Sequence, residues 1–416
     1  MKIIEVKNID RLVKKVLPKT PQKNKRIVEL ILADVQKNGD RALKKYEKKF
    51  GKASISSFRI TKSEIKQAYT KVSRKQVLAI RKAKDLVEYQ DNNLKMVKPR
   101  SSGLMMRKFI PIASVGCYVP SGLAKYPSSA IMSIIPARVA GVKRIVVVSP
   151  ANKDSKIDPL TLVACDICGA TEIYKTGGAQ AIAALAYGTK SIKKVDKIVG
   201  PGGSFVSIAK SLVSNTVSID MIAGPTELGI IADTTVDPNL IVYDLFSQAE
   251  HSQDTFCFVI TISEKLAEKI NKIINEKISG IDRSNIIKKS LSKNGFIAIC
   301  KNQTEMIAIA NELAPEHLQI MTRSPEKLAD KINNAGLILL GKRTPSALSD
   351  YMLGTNHILP TSGFGKVRGG LSVLDFMKLK TQIRASTLKL AKQYLKELTD
   401  AEQLPNHYEA VRSRFK

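Results

Sequence analysis

The run Arg144-Ile-Val-Val-Val-Ser149 decides the fold class of this chain. An unbroken run of β-branched apolar residues is typical of a strand that is buried on both faces of a sheet. The apolar segment before it, residues 129–141, ends in glycine and predicts a helix. After the run, short apolar segments alternate with helical ones, at residues 172–175 and 179–187, then 195–199 and 205–213. This alternation predicts a parallel sheet with crossover helices.

The same alternation restarts after Ala223-Gly-Pro-Thr226, with further strands predicted near residues 228–232, 255–262, 295–300 and 335–340. We therefore predict an α/β protein with two similar domains of mainly parallel sheets and flanking helices, an incomplete Rossmann-like arrangement. A helical N-terminal segment and a C-terminal helical tail complete it. The predicted bounds are residues 1–112 with 226–370 for a larger, discontinuous domain, 113–225 for a second α/β domain, and 371–416 for the tail. Such a charged tail packs on its own body or on a partner chain.

The region before the first strand of the second domain is predicted to be helical and charged, from Gln22 to about Asn93. Thr61-Lys-Ser-Glu64 has the spacing of a capping box and predicts the start of one of these helices. Residues 104–110 are predicted to form a strand, and Tyr118-Val-Pro-Ser-Gly122 a turn-rich loop.

Composition places the chain among soluble globular proteins. Its 416 residues with 44% apolar content can bury a large core. We expect no membrane segment, no signal peptide and a cytoplasmic location. The five cysteines are an odd number, which predicts no disulfide framework. Cys165 and Cys168 lie in an apolar segment that ends at Gly169, so we predict buried structural cysteines rather than a redox or metal pair.

The formal net charge of +30 requires a nucleic-acid hypothesis, because lysine and arginine neutralise phosphates. The lysines, however, are scattered over many predicted helices, and no aromatic residues alternate with them as a stacking platform would require. We therefore expect a solvated, lysine-rich surface and no nucleic-acid partner.

The polar segment Ser247-Gln-Ala-Glu-His251 closes an apolar run that begins near Leu240. If the run is a helix, Gln248 and His251 share one face, and a carboxamide oxygen beside an imidazole nitrogen makes half of a site for a divalent ion such as zinc. The alternative is a polar helix end in water. The chain has only four histidines, and the other three also lie among polar groups, which favours the metal site.

Other polar groups extend this candidate site. Glu316-His317 follows a predicted helix, and its two side chains suit separate proton-transfer tasks, although a surface dipeptide is the alternative. Asp350 offers a carboxylate, and Glu402 with His407 in the tail offer a carboxylate and an imidazole. Gln248, His251, Asp350 and His407 together would fill four positions around a zinc ion of the catalytic type.

Two glycine-rich segments lie between predicted strands and helices. Gly200-Pro-Gly-Gly203 places backbone amides at a helix N-terminus, which favours an anion such as a dinucleotide pyrophosphate. Gly177-Gly178 is followed by Gln180, whose amide could reach a ligand. Either segment could instead be a structural turn, since neither has the full G-x-G-x-x-G spacing. At the same sheet edge they favour a ligand crevice.

These motifs form an ordered series over essentially the whole chain: Tyr118-Val-Pro-Ser-Gly122, Gly177-Gly-Ala-Gln-Ala-Ile-Ala-Ala-Leu-Ala-Tyr-Gly188, Val195-Asp-Lys-Ile-Val-Gly-Pro-Gly202, Asp220-Met-Ile-Ala-Gly-Pro225, Ser247-Gln-Ala-Glu-His251, Ala314-Pro-Glu-His-Leu318 and Gly370-Leu-Ser-Val-Leu-Asp-Phe376. The series resembles the histidinol dehydrogenase family. The resemblance implies oxidation of L-histidinol to L-histidine through the aldehyde, with two NAD reduced, in histidine biosynthesis. It also implies one non-redox zinc per subunit, which holds the imidazole and amino groups of the substrate.

The resemblance assigns roles to particular residues. It implies zinc ligands at Gln248, His251, Asp350 and His407. It makes His317 the base for the alcohol proton and Glu316 the group that activates water. It implies cofactor contacts at Tyr118, Gln180 and position 203, and substrate contacts at Thr226 and Glu402 as well as at His317 and the zinc ligands. It places residues 113–225 on the cofactor side, and it implies a homodimer with shared active sites, in which the tail supplies Glu402 and His407 to the partner.

Two positions depart from the family pattern. Gly203 stands where the family usually has asparagine, and Thr226 stands where it usually has serine. These departures leave open an alternative, a zinc- and NAD-dependent dehydrogenase of the same family that acts on another small alcohol such as a sulfonated diol. His357 aligns with a histidine of the family, and we assign it no catalytic role.

Overall fold

The computed structural model describes residues 1–16, 24–96, 99, 101, 104–121 and 125–415. Gln22 and Gly122, each at the end of a predicted segment, lie outside the described residues. The chain divides into two compact units, the first comprising Met1–Lys95 and Pro111–Phe376 and the second Met96–Ile110 and Met377–Lys416. The predicted α/β class is confirmed, because the first unit contains parallel sheets with flanking helices. The bounds of the two α/β domains stay a prediction.

A larger sheet in the first unit has the strand order β1-β10-β9-β8-β11-β12 among the described residues. Its strands are β1 (Lys2–Glu5), β8 (Glu227–Ala232), β9 (Phe256–Thr261), β10 (Phe296–Ile299), β11 (His317–Met321) and β12 (Leu337–Leu340). All neighbouring pairs are parallel. Strands β8, β9 and β11 are buried along their whole length, because helices cover the sheet on both faces. The register pairs His317 with Leu228, so His317 lies at the amino end of the sheet.

A smaller sheet in the same unit has the order β5-β4-β3-β6-β7, again with parallel pairs. Its strands are β3 (Ser114–Tyr118), β4 (Arg144–Ser149), β5 (Glu172–Lys175), β6 (Lys197–Val199) and β7 (Ser218–Ile219). From β3 the chain forms β4 and β5 on one side, and it then returns to form β6 on the other side of β3. The connections after β3 and β6 therefore leave in opposite directions, and the carboxyl ends of these two strands are where a ligand is expected to bind in an open parallel sheet.

The α-helices of the first unit include those predicted near residues 129–141, 179–187 and 205–213. They are α1 (Ile9–Val16), α2 (Lys25–Asn38), α3 (Asp40–Tyr46), α4 (Lys62–Tyr69), α5 (Arg74–Lys95), α6 (Pro127–Ala140), α7 (Pro159–Cys168), α8 (Gly178–Tyr187), α9 (Ser204–Val213), α10 (Pro238–Ala249), α11 (Glu264–Lys277), α12 (Ser284–Lys293), α13 (Gln303–Leu313), α14 (Pro325–Ala329) and α15 (Ser346–Ser349). Shorter turns are a π-helical turn at Glu47–Gly51 and 3₁₀ turns at Ile278–Gly280, Phe364–Lys366 and Val373–Phe376.

Local sequence signals in these helices are confirmed. The Thr61 hydroxyl accepts the Glu64 amide, and the Glu64 carboxylate accepts the Thr61 amide, so the capping box forms. All five cysteines are free and buried, and Cys165 and Cys168 lie in α7, which ends at Gly169. In the described part of the chain, no helix is long and apolar enough to cross a membrane.

The second unit contains β2 (Met105–Pro111) up to Ile110, and β2 pairs with β13 (Met377–Ile383). The helices α16 (Lys389–Ala401) and α17 (Pro405–Arg412) follow. The expectation of an entirely helical tail beyond Leu371 is wrong, because β13 precedes the helices. In β13, lysine alternates with apolar residues before the strand ends, a period that suits a strand rather than a helix. The N-terminal strand β1 is also a strand that the sequence did not predict.

Candidate active site

His317 is a buried histidine with a free ring nitrogen. Its Nδ1 lies 3.3 Å from the carbonyl oxygen of Glu227. Because a carbonyl only accepts, Nδ1 carries the proton, and the neutral ring keeps its lone pair on Nε2. Nε2 is buried and has no hydrogen-bond partner within the described residues. The Asp350 Oδ1 atom lies 3.7 Å from Nε2, too far for a hydrogen bond. His317 thus holds a proton acceptor ready for a ligand.

Carboxylates around His317 favour its protonation. Burial opposes the charged ring, but Asp350 and Glu316 outweigh that effect, so the pKa of His317 lies above its ordinary value. The 3.7 Å separation means that Asp350 acts through its charge. A proton taken up at Nε2 is consequently stabilised by two neighbouring carboxylates.

Glu316 is fixed by groups at the start of β8. Its Oε2 accepts the hydroxyl of Thr226 and the backbone amide of Glu227, the latter at 2.8 Å. The residue is 7% exposed. Burial, opposed by the charge of His317, raises the pKa of Glu316 above its ordinary value. A carboxylate with a raised pKa, held beside a histidine, is suited to accept a proton from water near neutral pH.

Thr226 connects this carboxylate to Gln248 at the end of α10. The Gln248 Nε2 donates to Thr226 Oγ1 at 2.6 Å, and the same hydroxyl donates to Glu316. Since Nε2 is used in this way, the carboxamide oxygen of Gln248 is left to face a cation or a ligand. The hydroxyl of Thr226 therefore orients one candidate metal ligand and one candidate catalytic group together.

His251 lies just beyond the helix rather than on its face. The predicted helix is present, but α10 ends at Ala249, and the His251 amide donates to the Gln248 carbonyl at 3.2 Å in the following turn. His251 Nδ1 also lies 3.1 Å from that carbonyl oxygen, which places the lone pair on Nε2. The ring is exposed, and Nε2 is free to coordinate a metal.

Asp350 follows α15, which packs against α10. Burial raises the pKa of Asp350, but the nearby rings of His317, His357 and His251 lower it by more, so the carboxylate stays charged. His357 Nδ1 lies 3.1 Å from the Asp350 carbonyl oxygen. The structure thus brings Asp350 into one neighbourhood with Gln248, His251 and His317.

The donor types in this neighbourhood fit a zinc ion. They are an amide oxygen, an imidazole nitrogen and a carboxylate, a mixture that catalytic zinc accepts. Within the described residues, however, no three His, Cys, Asp or Glu side chains lie close enough together to hold a metal ion. Glu402 and His407 belong to the second unit and are exposed in the single chain.

The candidate cofactor residues lie at the carboxyl end of the smaller sheet. Tyr118 ends β3, and its hydroxyl accepts the backbone amide of Gly178 at 3.0 Å. Burial, above all, raises the pKa of Tyr118 to about 12, so its hydroxyl stays protonated and can donate to a ligand. Gln180 is 4% exposed, and its Nε2 donates to Glu47 at 2.9 Å. The Gly177 and Gly200 segments follow β5 and β6 at the same end of the sheet, as expected.

A buried ion pair holds the Gly200 segment in place. Lys210 Nζ lies 2.5 Å from Asp220 Oδ1, and both side chains are at most 2% exposed. Asp220 accepts the Gly200 amide at 2.8 Å, and Lys210 donates to the Gly200 carbonyl at 2.9 Å. Gly200 has φ +112°, and a Cβ there would lie 2.2 Å from the Tyr118 carbonyl oxygen. Only glycine fits this approach of the two loops.

The histidinol dehydrogenase family model matches residues 17–415. The chain belongs to the histidinol dehydrogenase family. Family members include histidinol dehydrogenases of Methanocaldococcus jannaschii, 44% identical over 93% of this chain and 91% of that protein, and Clostridium acetobutylicum, 42% identical over 94% and 92%. The crystal structure of histidinol dehydrogenase from Elizabethkingia anophelis has a TM-score of 0.93 at 32% identity and covers 100% of this chain and 98% of that one. The chain is accordingly an oxidoreductase of this family.

At position 203, where the family usually has asparagine, no neighbouring group excludes a side chain. It caps the N-terminus of α9 with φ −65° and ψ 176°, a conformation open to any residue. A Cβ at this position would meet nothing within 4 Å. The space that an asparagine side chain would fill is therefore open.

Two buried carboxylates were missed in the sequence. Glu227 opens a strand of otherwise apolar residues, and a lone acid at the start of a buried strand was a usable signal. Glu47 is 2% exposed but lies in Lys44-Lys-Tyr-Glu-Lys-Lys-Phe50, a charged run that is typical of a solvated helix face. No sequence signal separates Glu47 from its exposed neighbours.

Proposed function

We propose that this protein oxidises L-histidinol to L-histidine through the aldehyde, with zinc as a bound ion and two NAD reduced per substrate. The observation that carries the proposal is the pairing of a partner-free, buried His317 Nε2 with the fixed carboxylate of Glu316. Oxidation of an alcohol and then of an aldehyde hydrate needs one base for the hydroxyl proton and one for water. Membership of the family supports the choice of substrate.

His317 takes the hydroxyl proton of the alcohol at Nε2, since Nδ1 is already engaged by the Glu227 carbonyl. The charges of Asp350 and Glu316 stabilise the ring once it is protonated. Glu316 takes a proton from the water that attacks the aldehyde carbon, and Thr226 keeps the carboxylate in position. Bound NAD supplies the hydride acceptor for both oxidations.

Gln248, His251 and Asp350 would hold the zinc ion, together with His407. When bound, zinc supplies a Lewis acid that fixes the imidazole and amino groups of the substrate. Existing hydrogen bonds support this role. His251 is engaged through Nδ1 and Gln248 through Nε2, so His251 offers Nε2 and Gln248 offers its carboxamide oxygen to the ion.

Tyr118, Gln180 and the Gly203 segment would hold NAD. They lie at the carboxyl end of the smaller sheet. The connections that follow β3 and β6 leave in opposite directions there, which is the usual position for a dinucleotide in an open parallel sheet. The backbone amides at the start of α9, where the segment Gly200–Gly203 ends, suit the pyrophosphate of NAD.

The working form would be a cytoplasmic homodimer with shared active sites. His407 and Glu402 are exposed in the single chain, so they are available to complete the site of a partner subunit. The free thiols of the five cysteines suit a reducing compartment.

Counting NADH tests the proposal. Limiting L-histidinol incubated with excess NAD should yield two equivalents of NADH, and one equivalent or none would reject the four-electron reaction. A metal hydrolase would turn over substrate without nicotinamide, so a control without NAD should form no histidine. Sulfonated diols assayed in parallel, each with NAD and NADP, should be oxidised far more slowly than histidinol. Chelation should abolish turnover, and added zinc should restore it.

A further inference from the structure

We propose that Glu47 is a positioning residue for the nicotinamide cofactor, acting through Gln180 and the Gly177 segment. The inference rests on the proposed function, because it takes Gln180 as a cofactor contact. Glu47 opens the π-helical turn Glu47–Gly51, and such turns are frequent at functional sites. The next two residues, both lysines, are exposed, whereas the Glu47 carboxylate points into the protein.

A single oxygen of Glu47 gathers three donors from the segment between β5 and α8. Oε1 accepts the Thr176 hydroxyl at 2.8 Å, the Gly177 amide at 3.0 Å and the Gln180 Nε2 at 2.9 Å. All the donors are buried, so their pairing with a charged acceptor is strong. Glu47 and Gln180 are 133 residues apart in sequence, which makes this a tertiary contact between the N-terminal helices and the smaller sheet.

The N-terminus of α8 is consequently filled by the protein's own groups. The Gly177 amide is engaged by Glu47 and the Gly178 amide by the Tyr118 hydroxyl. A pyrophosphate that approached these amides would meet the negative charge of Glu47. The Gly177 segment therefore serves to orient side chains. The segment Gly200–Gly203, predicted as the anion site, is the one that leaves the first amides of α9 without a side-chain cap and suits a phosphate.

The hydrogen bond to Glu47 also fixes the orientation of the Gln180 carboxamide group. Nε2 gives one of its two hydrogens to Glu47, and Oε1 lies close to Gly178, where an added Cβ would be 2.9 Å away. The Gln180 amide is thereby held in one orientation, with Oε1 available to accept a hydrogen bond and the second Nε2 hydrogen available to donate one. A cofactor group that faces Oε1 would be a donor, such as a ribose hydroxyl or the amino group of a carboxamide.

Steady-state kinetics and NADH binding of full-length variants test this role. Glu47→Ala removes the acceptor, and we expect the KM for NAD and the Kd for NADH to rise roughly tenfold or more, with the KM for histidinol and kcat at saturating NAD changed less than about threefold. Glu47→Gln keeps an acceptor oxygen but loses its charge, so a rise of about fivefold is expected. Asp34→Asn is the matched control, because Asp34 also accepts three side-chain donors, from Asn38 on its own helix α2 and from Lys45 and Tyr46 on α3.

The outcomes separate this inference from the function on which it rests. A KM for NAD within twofold of wild type in either folded Glu47 variant would overturn it, as would an equal rise in the KM for both substrates or the same shift in Asp34→Asn. Thermal melting verifies folding, and Glu47→Gln decides the matter if the alanine variant does not fold. Wild-type protein that makes no NADH from histidinol would instead reject the proposed function.

Discussion

Glu227 and Glu316 each donate a backbone amide to the carboxylate of the other, at 2.8 Å from Glu227 to Glu316 Oε2 and 3.2 Å in the reverse direction. This reciprocal pair ties the starts of β8 and β11 together at the point where His317 enters the site. Burial, with the charge of Glu316 as a smaller contribution, raises the pKa of Glu227 to about 8. Near neutral pH Glu227 is mostly protonated, and the pair then carries no more than about one negative charge.

Substitution of the two proton-handling residues should separate the two oxidations. His317→Asn removes the base for the hydroxyl proton, so both steps should slow by about 100-fold or more. Glu316→Gln should mainly block aldehyde hydration, so histidinol is still converted to some aldehyde. Rates of NADH formation are measured with histidinol and with histidinal as separate substrates. Normal oxidation of histidinal by Glu316→Gln would contradict the assignment of Glu316.

The hydroxyl of Thr226 should matter more than its methyl group. Thr226→Val leaves the Gln248 amide and the Glu316 carboxylate without their shared partner, so kcat/KM for histidinol should fall roughly 10- to 100-fold. Thr226→Ser keeps the hydroxyl and should stay within about threefold of wild type. Comparable activity of the valine and serine variants would show that the bridge has no role.

Restoring the family's asparagine at position 203 should strengthen cofactor binding. Gly203→Asn fits the open space and backbone conformation, and an asparagine cap also satisfies an amide of α9. We expect the KM for NAD to fall about two- to fivefold, a gain of less than about 1 kcal/mol. Gly280→Asn, at another open glycine, is the control and should leave the KM for NAD unchanged. A higher KM in Gly203→Asn would mean that the bare backbone is itself the contact.

Asp91 should make the stability of the fold depend on pH. Burial raises its pKa to about 6, although its Oδ1 accepts the Val373 amide at 2.8 Å. An unfolded aspartate titrates near about 3.9, so the folded state holds the proton more tightly and loses stability as pH rises from about 4 to about 6. Asp91→Asn keeps the acceptor oxygen and cannot ionise. It should be more stable than wild type by roughly 2–3 kcal/mol at pH 7.5 and about equal to it below pH 4.

Urea denaturation at the two pH values measures this difference. The exposed Asp154→Asn is the control and should change the free energy of unfolding by less than about 0.5 kcal/mol at either pH. A destabilised Asp91→Asn at pH 7.5 would show that the ionised carboxylate contributes favourably to the folded state.

Mixed dimers should reveal shared active sites. A His407 variant and a His317 variant, each inactive alone, should regain about a quarter to a half of wild-type activity per dimer when combined, because one site of the mixed dimer keeps both native residues. Differently tagged subunits allow the mixed dimer to be purified before assay. Absence of rescue in verified mixed dimers would refute sharing of the tail.

Much of the architecture was predictable because it depends on local patterns. The buried run at Arg144–Ser149, the Thr61–Glu64 capping box and the glycine that ends α7 each depend on neighbouring residues, and each has the predicted structure. The strand β13 was missed because its pairing with β2 involves residues more than two hundred positions away in the sequence. The short alternation of lysine and apolar residues in β13 does not by itself show which strand would pair with it.

The sequence by itself determined the α/β class, the family and the chemical types of the site residues, because these follow from periodicity, spacing and side-chain chemistry. Only the tertiary structure decided that Nε2 of His317 is the free nitrogen, that Thr226 links Gln248 to Glu316, and that Glu47 faces the Gly177 segment. Each of these contacts joins residues far apart in the chain. Their partners are chosen by strand register and helix packing, which exist only after the chain has folded.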